Sequence, residues 1–170
     1  RGLYDLAAPE AVKTGEAAQG IGRLAAQLPA GHPYRRVLEQ VRAAHGPMAY
    51  PGSPLVAALL LRETDNVHLA EKHPQDHAAL AEATLDFPVR VHKADGFTKA
   101  QELTPPQPRR GMMLVDPSFE TASDYETMPK FFAQVARKWN VGILALWYPI
   151  LTSELHAPML RALTQAHPEA

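Results

Sequence analysis

The first half of the chain spaces its apolar residues for helices. The second half alternates short apolar runs with amphipathic stretches. Ile21, Leu24, Ala25 and Leu28 share one helical face in a segment from about Gly15 that Pro29 closes. Val37, Leu38, Val41 and Ala44 do the same between Pro33 and His45, where Gly46-Pro47 ends the run. The pair predicts a helical hairpin. A third helix is predicted to run to about Arg62, with Ser53 as N-cap and Pro54 at the first helical position, where its missing N–H costs nothing. After Asp65-Asn66 the rhythm changes. Val67 to Ala70 reads as a strand ending at Glu71, and a helix follows from about Pro74 to Thr84. Val89 to His92 reads as a second strand ending near Asp95-Gly96, with a short helix from Phe97 to Leu103 behind it. Beyond the proline-rich loop Thr104 to Arg110, Gly111 to Val115 is the third strand. Ser123 and Glu126 predict a capping box for a helix that buries Met128, Phe131, Phe132, Val135 and Trp139. Pro129 interrupts that pattern and makes Thr127 the alternative start. Val141 to Trp147 is the fourth strand, and a last helix covers about Ser153 to Ala166.

Strands alternating with helices predict an α/β fold with a doubly wound, mostly parallel sheet, which binds ligands at the carboxyl ends of its strands. Glu71, Asp95 and Asp116 each stand at such an end. An acid there suits ribose hydroxyls or an amine. The densest chemistry is Asp116-Pro117-Ser118-Phe119. The acid accepts a hydrogen bond from an amine, the proline carbonyl accepts a second, and the ring offers a stacking face to a base. The competing reading is a strand followed by a turn, with Phe119 in the core.

Composition narrows the options. The chain has 170 residues, enough for one domain with a real core, and a net charge of −1. That charge excludes a strongly basic nucleic-acid binder and confines nucleic-acid contact to local patches. Among the basic groups, Arg35, Arg36 and Arg42 on the hairpin and Arg109-Arg110 in the loop are favoured over Lys99, Lys130 and Arg137-Lys138 for phosphate contact. Absence of cysteine excludes disulfides and thiolate metal sites and suits the cytoplasm. His73 and His77 have helical ligand spacing but no third ligand nearby, so no metal is expected. His68 and His92 read as packing residues. Trp147-Tyr148-Pro149 either lines a base pocket or belongs to the core. The longest apolar run, Leu55 to Leu61, is far too short to span a bilayer, so no membrane partner is expected.

Motifs spread over nearly the whole chain carry a family resemblance. They include Thr14-Gly15-Glu16, Tyr50-Pro51-Gly52-Ser53-Pro54-Leu55, Leu59-Leu60-Leu61-Arg62-Glu63, Glu71-Lys72-His73-Pro74, Ala94-Asp95-Gly96-Phe97, Arg109-Arg110-Gly111, Asp116-Pro117-Ser118-Phe119-Glu120, Asp124-Tyr125 and Ala145-Leu146-Trp147-Tyr148-Pro149. In order and spacing the chain resembles the bacterial 23S ribosomal RNA adenine-N6 methyltransferase J family, formerly described as a DNA-utilisation (competence) family. The resemblance implies a Rossmann-like class I methyltransferase, S-adenosylmethionine as methyl donor and an adenine amine of 23S ribosomal RNA as acceptor. It implies that Ser53, Glu71, Asp95 and Gly96 hold the donor. It further implies that Asp116 and Pro117 hold the target amine while Phe119 stacks on the base. A cytoplasmic monomer is expected.

Two departures qualify the resemblance. Ser118 stands where many amino-methyltransferases carry a second proline, which leaves that φ unlocked. The chain also starts at Arg1, where the family's glycine-rich first turn would just have ended. The expectation is therefore an incomplete methyltransferase domain over 1–170 with a helical hairpin insertion over 10–48. Its first and last strands would be absent from this chain, and it would bind donor weakly. The alternatives are the same chemistry on DNA and a non-catalytic nucleic-acid-binding protein for DNA uptake. Acids at three strand ends, which repel phosphate, argue against the latter.

Overall fold

A computed structural model describes residues 1–15 and 20–169, without the side chains of Glu10 and Thr14. Glu16 of the Thr14-Gly15-Glu16 motif and the start of the helix predicted from Gly15 lie outside the described residues. The elements in order are β1 (Leu3–Asp5), α1 (Pro9–Thr14), α2 (Ile21–Gln27), α3 (Pro33–His45), β2 (Ala49–Pro51), α4 (Ser53–Leu60) and β3 (Val67–Glu71). They continue with α5 (Pro74–Ala83), β4 (Val89–Lys93), α6 (Gly96–Leu103), β5 (Met112–Val115), α7 (Ala122–Lys138), β6 (Ile143–Leu146) and α8 (His156–Ala166). The chain divides into two compact units, Arg1–Gly96 and Phe97–Ala170.

In the first unit an antiparallel pair that periodicity did not reveal joins β1 to β2, with Tyr4 opposite Tyr50. At three residues each, these strands are too short to show alternation. They bring together the two ends of the helical segment. Pro33 opens α3 at its first turn, and the His32 ring accepts the Tyr34 N–H there (3.2 Å). Val37 and Val41 bury against Ala49 and Leu55, with Leu3, Val56, Leu59 and Phe87 packed around them. Helix α4 starts one residue earlier than expected: Gly52, not Ser53, is the N-cap. The cause is close backbone approach. The Gly52 N–H donates to the Gly2 carbonyl (2.8 Å), and a Cβ on Gly52 would lie 2.6 Å from the Arg1 carbonyl oxygen. Strands β3 and β4 pair in parallel from Val67↔Val89 to Glu71↔Lys93, with α5 as the crossover. On one face of the ladder the His68 and His92 rings stack 5.3 Å apart, and their Nδ1 and Nε2 are joined at 3.0 Å.

The second unit is built on α7. Met128, Phe131, Phe132 and Val135 are all buried, with Trp139 just beyond the helix end. The helix continues through Pro129. A mid-helix proline costs about 3 kcal/mol, whereas each large apolar side chain on this stripe returns about 1.5–3 kcal/mol on burial, so the stripe prevails. The helix also begins earlier than predicted. Thr121 is the N-cap, and the Asp124 carboxylate accepts the Thr121 N–H (2.8 Å), so the capping box is Thr121/Asp124 and not Ser123/Glu126. Strands β5 and β6 pair in parallel, Met112↔Ile143 to Val115↔Leu146, with α7 between them in sequence. Met113, Val115, Leu144 and Leu146 turn toward the α7 core. The Trp139 indole N–H donates to the Arg109 carbonyl (2.5 Å) and anchors the loop before β5. The fold is thus mixed α/β with small parallel sheets. Among the described residues the strands hydrogen-bond as three pairs, one antiparallel and two parallel.

Candidate functional site

Chemistry gathers at the carboxyl ends of the parallel strands, where side chains no longer belong to the ladder. In the first unit β3 ends on Glu71 and β4 on Lys93, which are register partners. Glu71 and Asp95 therefore lie at the same edge of one ladder. One oxygen of Glu71 accepts the His73 N–H (2.8 Å), leaving the second for another donor. Asp95 is partly exposed and faces the Lys72 ammonium at 3.8 Å. Gly96 opens α6, and a Cβ there would meet nothing within 4 Å. Ser53 is exposed as the first residue of α4. His73 and Asp76 form a pair at 3.5 Å, and Asp76 also takes Arg1 at 2.6 Å, which holds its carboxyl below the usual carboxylate range.

In the second unit Asp116 follows the last residue of β5. Asp116 is exposed, yet partial desolvation pushes its carboxyl above the ordinary range. The chain then turns sharply. Phe119 adopts φ 51°, in the left-handed region that aromatic residues rarely enter, and is only 6% exposed. Its ring packs 4.5 Å from that of Tyr125, at 42°. The Tyr125 hydroxyl is itself buried and has no hydrogen-bond partner among the described residues. In this conformation the Phe119 ring is a core side chain.

Next to Asp116 stands a residue the sequence reading left between pocket and core. The Trp147 N–H extends the ladder by donating to the Val115 carbonyl (2.9 Å), and its side chain is 55% exposed. Since Val115 pairs with Leu146, Asp116 and Trp147 occupy equivalent positions just past the same rung. A flat ring is therefore open to solvent beside the acid, and periodicity, which reads Trp as core, could not show it.

The predicted phosphate contacts separate into two kinds. Arg35 is engaged by Glu39 (2.7 Å) and by the Leu28 carbonyl (2.8 Å), tying α2 to α3. Arg109 is engaged by the Lys138 carbonyl (3.1 Å) and Asn140 (3.3 Å). Arg36 and Arg110 are exposed. No described helix is long and apolar enough to cross a membrane.

Comparison with known proteins gives these positions a context. A family model described as "Ribosomal RNA large subunit methyltransferase D, RlmJ" matches residues 1–169. Ribosomal RNA large subunit methyltransferase J of Escherichia coli K12 is 41% identical over 154 residues, covering 88% of this chain and 55% of that protein. The protein of the same name from Haemophilus influenzae Rd is 36% identical over 155 residues, with the same coverage, 88% and 55%. A crystal structure of a Legionella pneumophila protein superposes with a TM-score of 0.86 at 29% identity, covering 98% of this chain and 62% of that one. The chain thus spans about 55% of the length of the curated relatives it matches.

Proposed function

We propose a function from one premise: the chain belongs to the ribosomal RNA large subunit methyltransferase J family. The protein is an S-adenosylmethionine-dependent methyltransferase that modifies the N6 amine of an adenine in 23S ribosomal RNA. The observation that carries this reading is the Asp116-Pro117 pair placed directly past a parallel strand end, with an exposed Trp147 at the neighbouring strand end.

The residues of the first unit suit the donor. Glu71 keeps one carboxylate oxygen for ribose hydroxyls because the other is taken by His73. Asp95 and the open surface at Gly96 suit the donor's adenine end, and Ser53, exposed at a helix start, its amino-acid end. When bound, S-adenosylmethionine supplies a methyl group activated by its sulfonium charge.

The residues of the second unit suit the acceptor. The Asp116 carboxylate and the Pro117 carbonyl each accept one hydrogen bond from the adenine amine, which fixes the direction of the nitrogen lone pair. Orientation of this kind supplies several kcal/mol, roughly, of the barrier reduction. Both acceptors also favour the charge that builds on nitrogen as the new N–C bond forms. The raised pKa of Asp116 makes it a stronger base than an ordinary carboxylate, so the departing proton passes to Asp116 or to water. Trp147 and Phe119 are the candidate stacking rings, and Trp147 is the one already exposed. Arg36 and Arg110, with Arg35 and Arg109 in support, meet the phosphates. The helical segment over 10–48, closed at its base by the β1–β2 pair, is an insertion in the methyltransferase domain that serves RNA contact. Each parallel pair with its crossover helix is the kind of unit from which a doubly wound, Rossmann-like methyltransferase fold is built. The protein works as a monomer in the cytoplasm.

The test uses the full-length protein, labelled donor and unmodified 23S ribosomal RNA. Wild type incorporates label and Asp116→Ala loses most of it. Unchanged incorporation by the variant removes Asp116 from the mechanism. Absence of incorporation by wild type, on RNA or DNA, would favour a protein that binds nucleic acid without modifying it.

A further inference from the structure

Beneath the Asp116 loop lies a polar atom that the chemistry above does not use. Tyr125 is 4% exposed, its hydroxyl is buried, and no described group is within hydrogen-bonding reach. Packing alone does not call for that oxygen. A phenylalanine would fill the same space against Phe119, Met128 and their neighbours without burying an unpaired donor. The strained residue of the loop sits directly against it: Phe119, at φ 51°, holds its ring 4.5 Å from the Tyr125 ring. An orphaned hydroxyl and a left-handed aromatic in contact describe a loop whose present form leaves two local demands unmet. Strain and unmet hydrogen bonds of this kind collect where a segment has a second arrangement.

We infer that Tyr125 is a positioning residue for the Asp116–Phe119 loop, and that its hydroxyl bonds a backbone carbonyl of that loop when donor and base are bound. Tyr125 acts through the loop and does not touch the reacting atoms. It lies on α7, whose buried stripe fixes the helix in the core, so it offers the loop a rigid anchor. The inference rests on the methyltransferase reading and adds to it the group that holds Asp116 and Pro117 in place.

The experiment is Tyr125→Phe in the full-length protein, with three readouts. Thermal unfolding of the variant matches or exceeds wild type, because an unsatisfied buried donor has been removed. Its kcat for methyl transfer to unmodified 23S ribosomal RNA falls about five- to tenfold, the loss of one hydrogen bond, while KM stays within about twofold. Hydrogen exchange of the loop amides slows in wild type when S-adenosylhomocysteine and adenosine are added together, and slows less in the variant. A merely structural tyrosine would move stability and leave both the kcat–KM split and the ligand-dependent exchange untouched. Tyr125→Phe with wild-type kcat, or with wild-type protection on adding the ligands, overturns the inference while the methyltransferase reading stands. A wild-type protein that transfers no methyl group overturns that reading, and the inference with it.

Discussion

Replacing Phe119 by alanine and by glycine separates what its side chain does from what its backbone does. The side chain is 6% exposed and packs on Tyr125 within the α7 core, so truncation to alanine should cost about 3–5 kcal/mol. The backbone sits at φ 51°. There any residue with a Cβ is strained by roughly 1–2 kcal/mol, and glycine is not. Glycine in turn loses more freedom on folding, about 0.4–1 kcal/mol. The difference leaves Phe119→Gly about 1 kcal/mol more stable than Phe119→Ala. At an ordinary position in a helix or strand the sign is reversed, with glycine worse than alanine by about 0.5–1 kcal/mol. Both tryptophans, Trp139 and Trp147, belong to the second unit, so urea unfolding followed by tryptophan fluorescence reports on this region. With m of about 1–3 kcal/mol/M, the two midpoints should differ by roughly 0.5 M, glycine higher. An alanine variant with the higher midpoint at equal m would refute a left-handed Phe119. It would also remove one of the two observations behind the role given to Tyr125.

Two further outcomes follow from the same region. Partial desolvation raises the Asp116 pKa in the folded state, so the protonated form is favoured there and ionisation costs stability. Asp116→Asn should therefore stabilise the fold at neutral pH, and the gain should vanish as pH falls below the ordinary carboxylate range; a gain that persists in acid would contradict desolvation as the cause. Pro129→Ala should restore an N–H opposite the Tyr125 carbonyl within α7 and raise stability by about 2–2.6 kcal/mol, after the entropy that proline removes from the unfolded chain is allowed for. A neutral or destabilising result in urea unfolding would mean that α7 already absorbs the proline without loss.

The parallel strands and their crossover helices were legible because each carries a repeat that its length can express. Val67–Glu71 and Val89–Lys93 are five-residue strands bounded by turn residues, and the apolar stripe of α7 fixes its face over several turns. The antiparallel β1–β2 pair was not legible. Three residues cannot show a period, and the pairing depends on Gly52 admitting the Arg1 and Gly2 carbonyls, a contact between residues about fifty apart in sequence. The start of α7 was misjudged for a related reason. Thr121-x-x-Asp124 and Ser123-x-x-Glu126 both satisfy the pattern of a capping box, and only the path of the chain out of the Phe119 turn selects the first.

The site shows the same division more sharply. Acids at strand ends can be counted from sequence because a strand's end is a one-dimensional fact, and Glu71, Asp95 and Asp116 were identified that way. Which ring stands beside an acid is a three-dimensional fact. Phe119 is close in sequence to Asp116 but is turned inward by its left-handed backbone; Trp147 is distant in sequence but is delivered to the adjacent strand end by the register of β5 with β6. Hydrophobicity assigns both rings to the core, and their exposures, 6% and 55%, separate them. If the base is gripped without movement of the loop, Trp147 carries the stacking. If Phe119 stacks, the loop must first leave the conformation that strands the Tyr125 hydroxyl. Trp147→Ala therefore tests the first account and Tyr125→Phe the loop movement that the second requires: a loss of kcat in Trp147→Ala with none in Tyr125→Phe points to Trp147, and the converse points to Phe119.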